Sequence, residues 1–143
     1  MLTNILVVKN TIFPTLSSQF TLGEALDNWQ GCVNPIWKEK TGDRNEPLIV
    51  FGCDLVNPIV NGEKSPIMDN ISKVQYSIIF GIDQINQSAQ VNEAAFIFTF
   101  YDSKSFISSS NRFSSYSAVR SAYQNELNIE VLNLTDDDYN ARQ

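Results

Sequence analysis

The sequence contains no histidine, and the acid–base and metal-ligating side chains considered first are its two cysteines and sixteen carboxylates. Without an imidazole, neither a serine–histidine–aspartate nor a cysteine–histidine nucleophile can be assembled, and histidine metal sites are excluded. The glycine patterns that bind dinucleotides or nucleotide phosphates are missing, as is the G-x-S-x-G nucleophile turn. We therefore predict a protein that is not an enzyme and that uses no cofactor.

The carboxylates have simpler explanations than catalysis. Glu24 is expected to cap a helix, Asp27 to be solvated on that helix, and Asp54 to lie on the strand face opposite Cys53. The run Asp136–Asp138 could attract a divalent cation, but such a run is more often a solvated tail. We predict no metal site.

The negative charge is concentrated near the end of the chain. The net charge is −6, and from Glu126 onward five acids face one base, Arg142. The sequence contains no cluster of lysine and arginine that could neutralise a phosphate backbone, so direct nucleic-acid binding is not expected. We divide the chain into a single α+β domain over residues 1–134 and an acidic tail over residues 135–143.

The elements that position the cysteines begin with the stretch TLGEALDNWQGC at residues 21–32. Thr21 and Glu24 form a capping-box pattern, and the apolar residues that follow share one helix face. Gly31 is expected to end the helix in a left-handed conformation, immediately before Cys32. The face consists of Leu22, Ala25, Leu26 and Trp29.

Beyond this helix the apolar period changes from 3.6 to 2, which predicts strands. Segments 36–41 and 48–56 read as one hairpin, and segments 74–82 and 91–101 as a second, with an irregular connection over 57–70. Residues 4–8 (NILVV) read as a short first strand. The serine-rich segment 103–115 reads as capping material for a helix whose apolar face includes Phe113, Tyr116, Val119, Ala122, Tyr123 and Leu127. Residues 128–134 read as a short last strand.

The pattern as a whole predicts the α+β class: an antiparallel β-meander of two hairpins, with an N-terminal and a C-terminal helix packed on one face. Cys53 shares its strand face with Ile49, Phe51 and Leu55, which places it toward that helical layer. A Cys32–Cys53 disulfide is then expected and implies an oxidising compartment. Two buried free thiols are the alternative, and a zinc site the least favoured one.

The opposite face of the sheet carries a candidate interaction patch. Phe96, Phe98 and Phe100 are assigned to the core, so Ile79, Ile97 and Tyr101 should point away from the helices, beside Val50. A sheet covered on one side is expected to be polar on the other. These apolar residues therefore suggest contact with a protein partner or a weak homodimer.

A family resemblance covers residues 20–56. The string TLGEALDN, followed by Cys32, by Trp37 and by a strand that contains Cys53, is similar to small domains in bacterial envelope and lipoprotein-like sequences, some from prophage regions. In them a T-[IL]-G-x-A-[LF]-D-N helix precedes a Trp-containing hairpin. The resemblance implies an envelope location and a helix tied to a hairpin, and it implies no activity.

Two functional hypotheses follow. The first is a non-enzymatic interaction or structural domain of the bacterial envelope. The alternative is a small inhibitor, encoded by a phage or mobile element, that binds a host defence or nucleic-acid-binding protein through an acidic surface. No apolar run approaches the roughly 20 residues that span a bilayer, so no transmembrane segment is predicted. The start MLTNILVVKN lacks signal features, so we expect a periplasmic or envelope location if a signal is removed and a cytoplasmic one otherwise.

Overall fold

The computed structural model describes residues 3–60, 69–110, 117–131 and 134–143. Within these ranges the chain forms four helices and seven strands. The helices are α1 (Asn4–Lys9), α2 (Leu22–Asp27), α3 (Ser117–Tyr123) and α4 (Asp136–Asn140). The strands are β1 (Cys32–Thr41), β2 (Pro47–Leu55), β3 (Asn57–Val60), β4 (Ile71–Asp83), β5 (Ser88–Phe100), β6 (Ser105–Ser110) and β7 (Asn128–Val131).

The predicted α+β class is confirmed. Five strands form one sheet in the order β1-β2-β4-β5-β6, and every neighbouring pair is antiparallel. The remaining two described strands, β3 and β7, pair in parallel as a separate small sheet. The chain therefore builds its main sheet mostly from strands that follow one another in sequence.

One face of the large sheet is the core of the molecule. Aromatic side chains from β2, β4 and β5 are buried on it, and apolar residues of α1, α2 and α3 pack against them. The aromatic residues are Phe51, Tyr76, Phe80, Phe96, Phe98 and Phe100. Because side chains alternate along a strand, the residues between them point to the other face.

The capping box predicted at α2 is present. The Thr21 hydroxyl accepts a hydrogen bond from the Glu24 N–H, and the Glu24 carboxylate accepts one from the Thr21 N–H, each at 3.1 Å. Gly31 does not have the predicted left-handed conformation. It is required for a close approach instead, since a Cβ atom there would lie 1.9 Å from the Glu126 carbonyl oxygen.

The predicted first strand at residues 4–8 is wrong, because these residues form α1. The Thr3 hydroxyl accepts a hydrogen bond from the Leu6 N–H and so caps the helix, while Val7 and Val8 are buried. A five-residue apolar run is too short for its period to distinguish helix from strand, and packing overrides the β-branched propensity of valine.

The connection between β5 and α3 also departs from prediction. Residues 105–110 of the serine-rich segment form β6 rather than capping material. Helix α3 ends at Tyr123 because Asn125 has a left-handed φ of 50° and the Glu126 N–H donates to the Ser121 carbonyl. Leu127 therefore lies outside the helix and is 54% exposed. Phe113 and Tyr116 lie outside the described residues.

The predicted irregular connection over 57–70 contains β3 at its start, and residues 61–68 lie outside the described ranges. Strand β3 pairs with β7, which falls within the predicted last strand at 128–134. Side-chain amides reinforce the pair, since Asn57 Nδ2 donates to Asn128 Oδ1. Strand β7 therefore pairs with β3 and not with a strand of the large sheet.

The last residues of the chain form helix α4, on which Asp136 and Asp137 remain exposed. Thr135 and Asp138 form a second capping box at the start of α4. The Tyr139 ring packs edge-on against Phe100 at 5.1 Å between centroids, and Arg142 forms an ion pair with Asp102 at 2.9 Å. A run of three acids at a helix N-terminus is favoured by the helix dipole. The run therefore marks the start of a helix here.

Candidate functional site: the open face of the sheet

The Cys32–Cys53 disulfide is confirmed and serves as a structural tie. The two Cα atoms are 5.5 Å apart, and both cysteines are almost fully buried. The bridge joins the start of β1 to β2 within the same buried cluster as Trp29, whose ring packs edge-on against Tyr76. Because solvent thiols cannot reach buried sulfur atoms, this disulfide is suited to stability rather than to redox exchange.

The second face of the five-stranded sheet, which we call the open face, carries the residues that alternate with the core. A row of small residues, Gly52, Ser77 and Ala95, crosses β2, β4 and β5 in register. Larger side chains flank this row on both sides. Val50 pairs with Ile79 on one side, and Ile97 pairs with Ile107 on the other. The result is a shallow groove that runs across the strands.

One end of the groove is an apolar depression of about 220 Å³, lined by Ser77, Ile79, Glu93, Ala94, Ala95, Ile97 and Ile107. Two of the three predicted patch residues, Ile79 and Ile97, lie in it and are half-buried. Tyr101 does not line it. That residue follows the end of β5 in a turn, is 73% exposed and donates its N–H to the Asn70 carbonyl.

The other end is a polar depression of about 320 Å³, lined by Asn34, Ile36, Lys38, Val50, Gly52, Cys53, Asp54, Lys73 and Gln75. Asp54 lies on the face opposite Cys53, as expected from strand alternation. Its carboxylate accepts hydrogen bonds from Asn34 Nδ2 at 3.0 Å and from Gln75 Nε2 at 2.9 Å. The groove thus offers charge and hydrogen bonds at one end and apolar surface at the other.

Sequence reasoning missed three residues of this surface. Gly52 and Ala95 were passed over because the pattern was read for large apolar residues, although their alternation with Phe51 and Phe96 already assigns them to the open face. Ile107 was missed because serine is a weak strand former and concealed β6. Ile107 is 60% exposed and extends the apolar depression to the edge of the sheet.

A second concavity lies between α2 and α3 and has a volume of about 360 Å³. The buried hydroxyl of Tyr123 lies at this cleft and has no hydrogen-bond partner among the described residues. Burial raises the pKa of Tyr123 to about 12, and the negative charge of Glu24 adds to the rise. The phenol therefore stays protonated near neutral pH, where it can donate a hydrogen bond but cannot act as a base.

Two further observations concern only the described residues. They include no group of three or more cysteine, aspartate or glutamate side chains placed to hold a metal ion. No helix among them has the length and apolar character needed to cross a membrane. Comparisons of the chain with protein-family models, curated proteins and solved structures find no match.

Proposed function

We propose that this protein is a non-enzymatic interaction domain that binds a protein partner through the open face of its sheet. The observation that carries the proposal is the groove across that face, with the apolar depression at one end. A sheet face that only meets water is expected to be polar, whereas this one holds Ile79, Ile97 and Ile107 around the small side chain of Ala95.

The small residues of the groove support the same proposal. A Cβ atom at Gly52 would meet nothing closer than the Tyr76 carbonyl oxygen at 3.9 Å, so packing within the chain does not require glycine there. Glycine inside a strand weakens the strand and often marks a close approach by another backbone. A partner segment that lies across β2, β4 and β5 could approach the sheet closely along this row of small residues.

A location in the bacterial envelope is the second part of the proposal. The buried disulfide is compatible with an oxidising compartment, and the resemblance over residues 20–56 indicates the same place. The absence of histidine from the sequence supports a role in binding rather than catalysis. In this role the bridge holds the α2–β1 junction to the sheet.

The proposal is tested with Ile97→Lys in the protein produced in its source cell. A lysine in the apolar depression should weaken binding at least tenfold, because its charge must be desolvated when a partner covers it. The matched control is Thr99→Lys, on the same strand and face but outside the depression. Equal recovery of partners by wild type and Ile97→Lys would contradict the proposal.

Photo-crosslinking locates the surface directly. A benzophenone side chain at Ile79, in the apolar depression and away from the β6 edge, should give covalent adducts with a partner in the cell. The same group at Ile85, which is 92% exposed in the turn between β4 and β5, should give none above background. Adducts at both positions or at neither would argue against the open face as the binding surface.

The alternative function, an inhibitor with an acidic surface, rests on the first turn of α4. Asp136 and Asp137 are exposed there, whereas Asp138 caps its own helix and Asp102 is paired with Arg142. The double variant Asp136→Lys/Asp137→Lys separates the two functions. Loss of partner binding in this variant, together with normal binding by Ile97→Lys, would favour the inhibitor.

A further inference from the structure

The two edges of the large sheet are protected very differently. Strand β1 contains Pro35, which lacks an N–H, and its register with β2 is interrupted between Val33 and Ile36. Exposed charges at Lys38 and Lys40 follow. Proline, irregular register and lysine are the devices that keep an edge strand from pairing with another chain.

Strand β6, at the opposite edge, has none of these devices. From Ser105 to Ser110 it contains no charged residue and no proline, and its register with β5 is unbroken. The chain itself shows that this edge accepts a partner. The Gln143 N–H donates to the Ser105 carbonyl and the Ser105 N–H to the Gln143 carbonyl, both at 2.9 Å.

The Gln143 contact also shows which backbone groups of β6 point outward. Backbone direction alternates along an antiparallel strand, so the N–H and C=O of Ile107 and Ser109 face outward as those of Ser105 do. Among the described residues, no hydrogen bond outside the β5–β6 ladder reaches the groups of Ile107 and Ser109. Within the described ranges, two residues of this edge therefore have no backbone partner beyond the one that Gln143 covers.

We propose that β6 pairs with β6 of a second copy of this chain, antiparallel and around a two-fold axis at Ser108. In this register Ile107 faces Ser109 of the second copy, and the four backbone groups of each strand form four hydrogen bonds across the axis. With the axis at Ser108, the β6 residues that face one another are 106–110, so no residue of β6 opposes Ser105 and its contact with Gln143 is kept, whereas an axis at Ile107 would place Ser109 of the second copy against Ser105.

A second copy suits this edge better than a charged or bulky segment does. Two uncharged β6 strands meet without like-charge contacts, although each chain carries a net charge of −6. The two Ile107 side chains become diagonal neighbours on the open face and lose exposed surface to each other. The apolar depressions of the two copies then lie on one continuous ten-stranded sheet.

The experiment begins with the oxidised full chain in sedimentation velocity from about 1 µM to about 300 µM, the range in which a short interface associates. The mass of wild type should rise toward twice the 16.1 kDa of one chain. Ser109→Pro removes an outward N–H that donates to no other described residue, so this variant should stay monomeric with an unchanged circular dichroism spectrum. A wild type that is monomeric throughout this range overturns the proposal.

A cysteine at the two-fold axis tests the register. Residues of a pair without mutual hydrogen bonds lie about 4.5 Å apart at Cα, within disulfide range. Ser108→Cys should therefore form a covalent dimer through position 108 on mild oxidation, whereas Lys38→Cys, on the β1 edge, should not. Equal crosslinking of the two variants overturns the proposed pairing.

Ile97→Lys separates this inference from the proposed function. The substitution changes the open face but leaves the outward groups of β6 intact, so the concentration-dependent doubling of mass should persist. A monomeric Ile97→Lys would mean that the copies meet through the open face and would overturn edge pairing.

Discussion

At the scale of single residues, two glycines of this protein lie in opposite surroundings, one crowded and one open. Gly31 lies where the backbone of residue 126 passes so close that a Cβ atom would overlap the carbonyl oxygen at 1.9 Å. The same carbonyl accepts a hydrogen bond from Trp29 Nε1 at 2.7 Å, so it cannot move away without losing that bond. Gly52 lies on the open face with free space above it.

The two glycines therefore predict opposite effects on stability. Gly31→Ala should lower the free energy of unfolding by about 3 kcal/mol, through steric overlap and loss of the Trp29 hydrogen bond. Gly52→Ala should change it by no more than about 1 kcal/mol, and in the stabilising direction, because alanine restricts the unfolded chain. Urea unfolding of both variants measures the difference. Similar losses in the two would show that the packing at Gly31 has been misjudged.

At the scale of elements, the sequence predicts long amphipathic segments well and short ones poorly. Strands β2, β4 and β5 alternate over nine to thirteen residues, so their faces, and with them Ile79 and Ile97, could be read directly. Helix α1 has six residues and β3 has four, too few for a period to be seen. Strand β6 and the pairing of β3 with β7 depend on neighbours distant in sequence, which no local pattern records.

Helix α4 shows how a short element is held by contacts rather than by propensity. The Tyr139 ring lies against Phe100, the Arg142 guanidinium lies over the same ring at 3.8 Å from its centroid, and Asn70 donates to the Tyr139 hydroxyl at 3.3 Å. A five-residue helix has little stability alone. Tyr139 therefore joins the Arg142–Asp102 ion pair and the Gln143–Ser105 hydrogen bonds in fixing the end of the chain to the sheet.

Tyr139→Ala should lower the free energy of unfolding by about 2 kcal/mol, because Phe100 loses its cover and Arg142 its cation–π partner. Asp137→Ala, at an exposed position of the same helix, should change it by less than about 0.5 kcal/mol. Thermal and urea unfolding give both values.

A chain ending at Leu134 should still fold, with a loss of stability similar to that of Tyr139→Ala, since the proposed domain 1–134 keeps its core. Failure of that chain to fold would move the domain boundary to the end of α4.

At the scale of the whole molecule, the disulfide and the sheet stabilise the same region. Cys32 and Cys53 are separated by 21 positions, and the loop that they close contains the entire β1–β2 turn. In the chain-entropy account, closing a loop of this size in the unfolded state raises stability by about 3 kcal/mol. That is a large fraction of the 5–15 kcal/mol typical of a domain.

Reduction should therefore lower the free energy of unfolding by about 3 kcal/mol without abolishing the helical and strand signals at low temperature. The folded, oxidised protein should take up no alkylating reagent, and the denatured, reduced protein should take up two equivalents by intact mass. The Cys32→Ala/Cys53→Ala variant should match the reduced form in stability. Two alkyl groups on denatured but unreduced protein from an oxidising preparation would contradict the bridge.

The parallel pair of β3 and β7 has a consequence for the order in which the molecule folds. Asn57 and Asn128, which bond across this pair, are 71 positions apart, whereas the hairpins of the large sheet join neighbours in sequence. Closing so long a loop costs entropy before any contact repays it, so pairing of this kind is slow. The antiparallel pairs of the large sheet can form as the chain leaves the ribosome, but β3 can pair only after β7 has been made. Until then, β3 is a strand whose edge still waits for the backbone of residues 128–131.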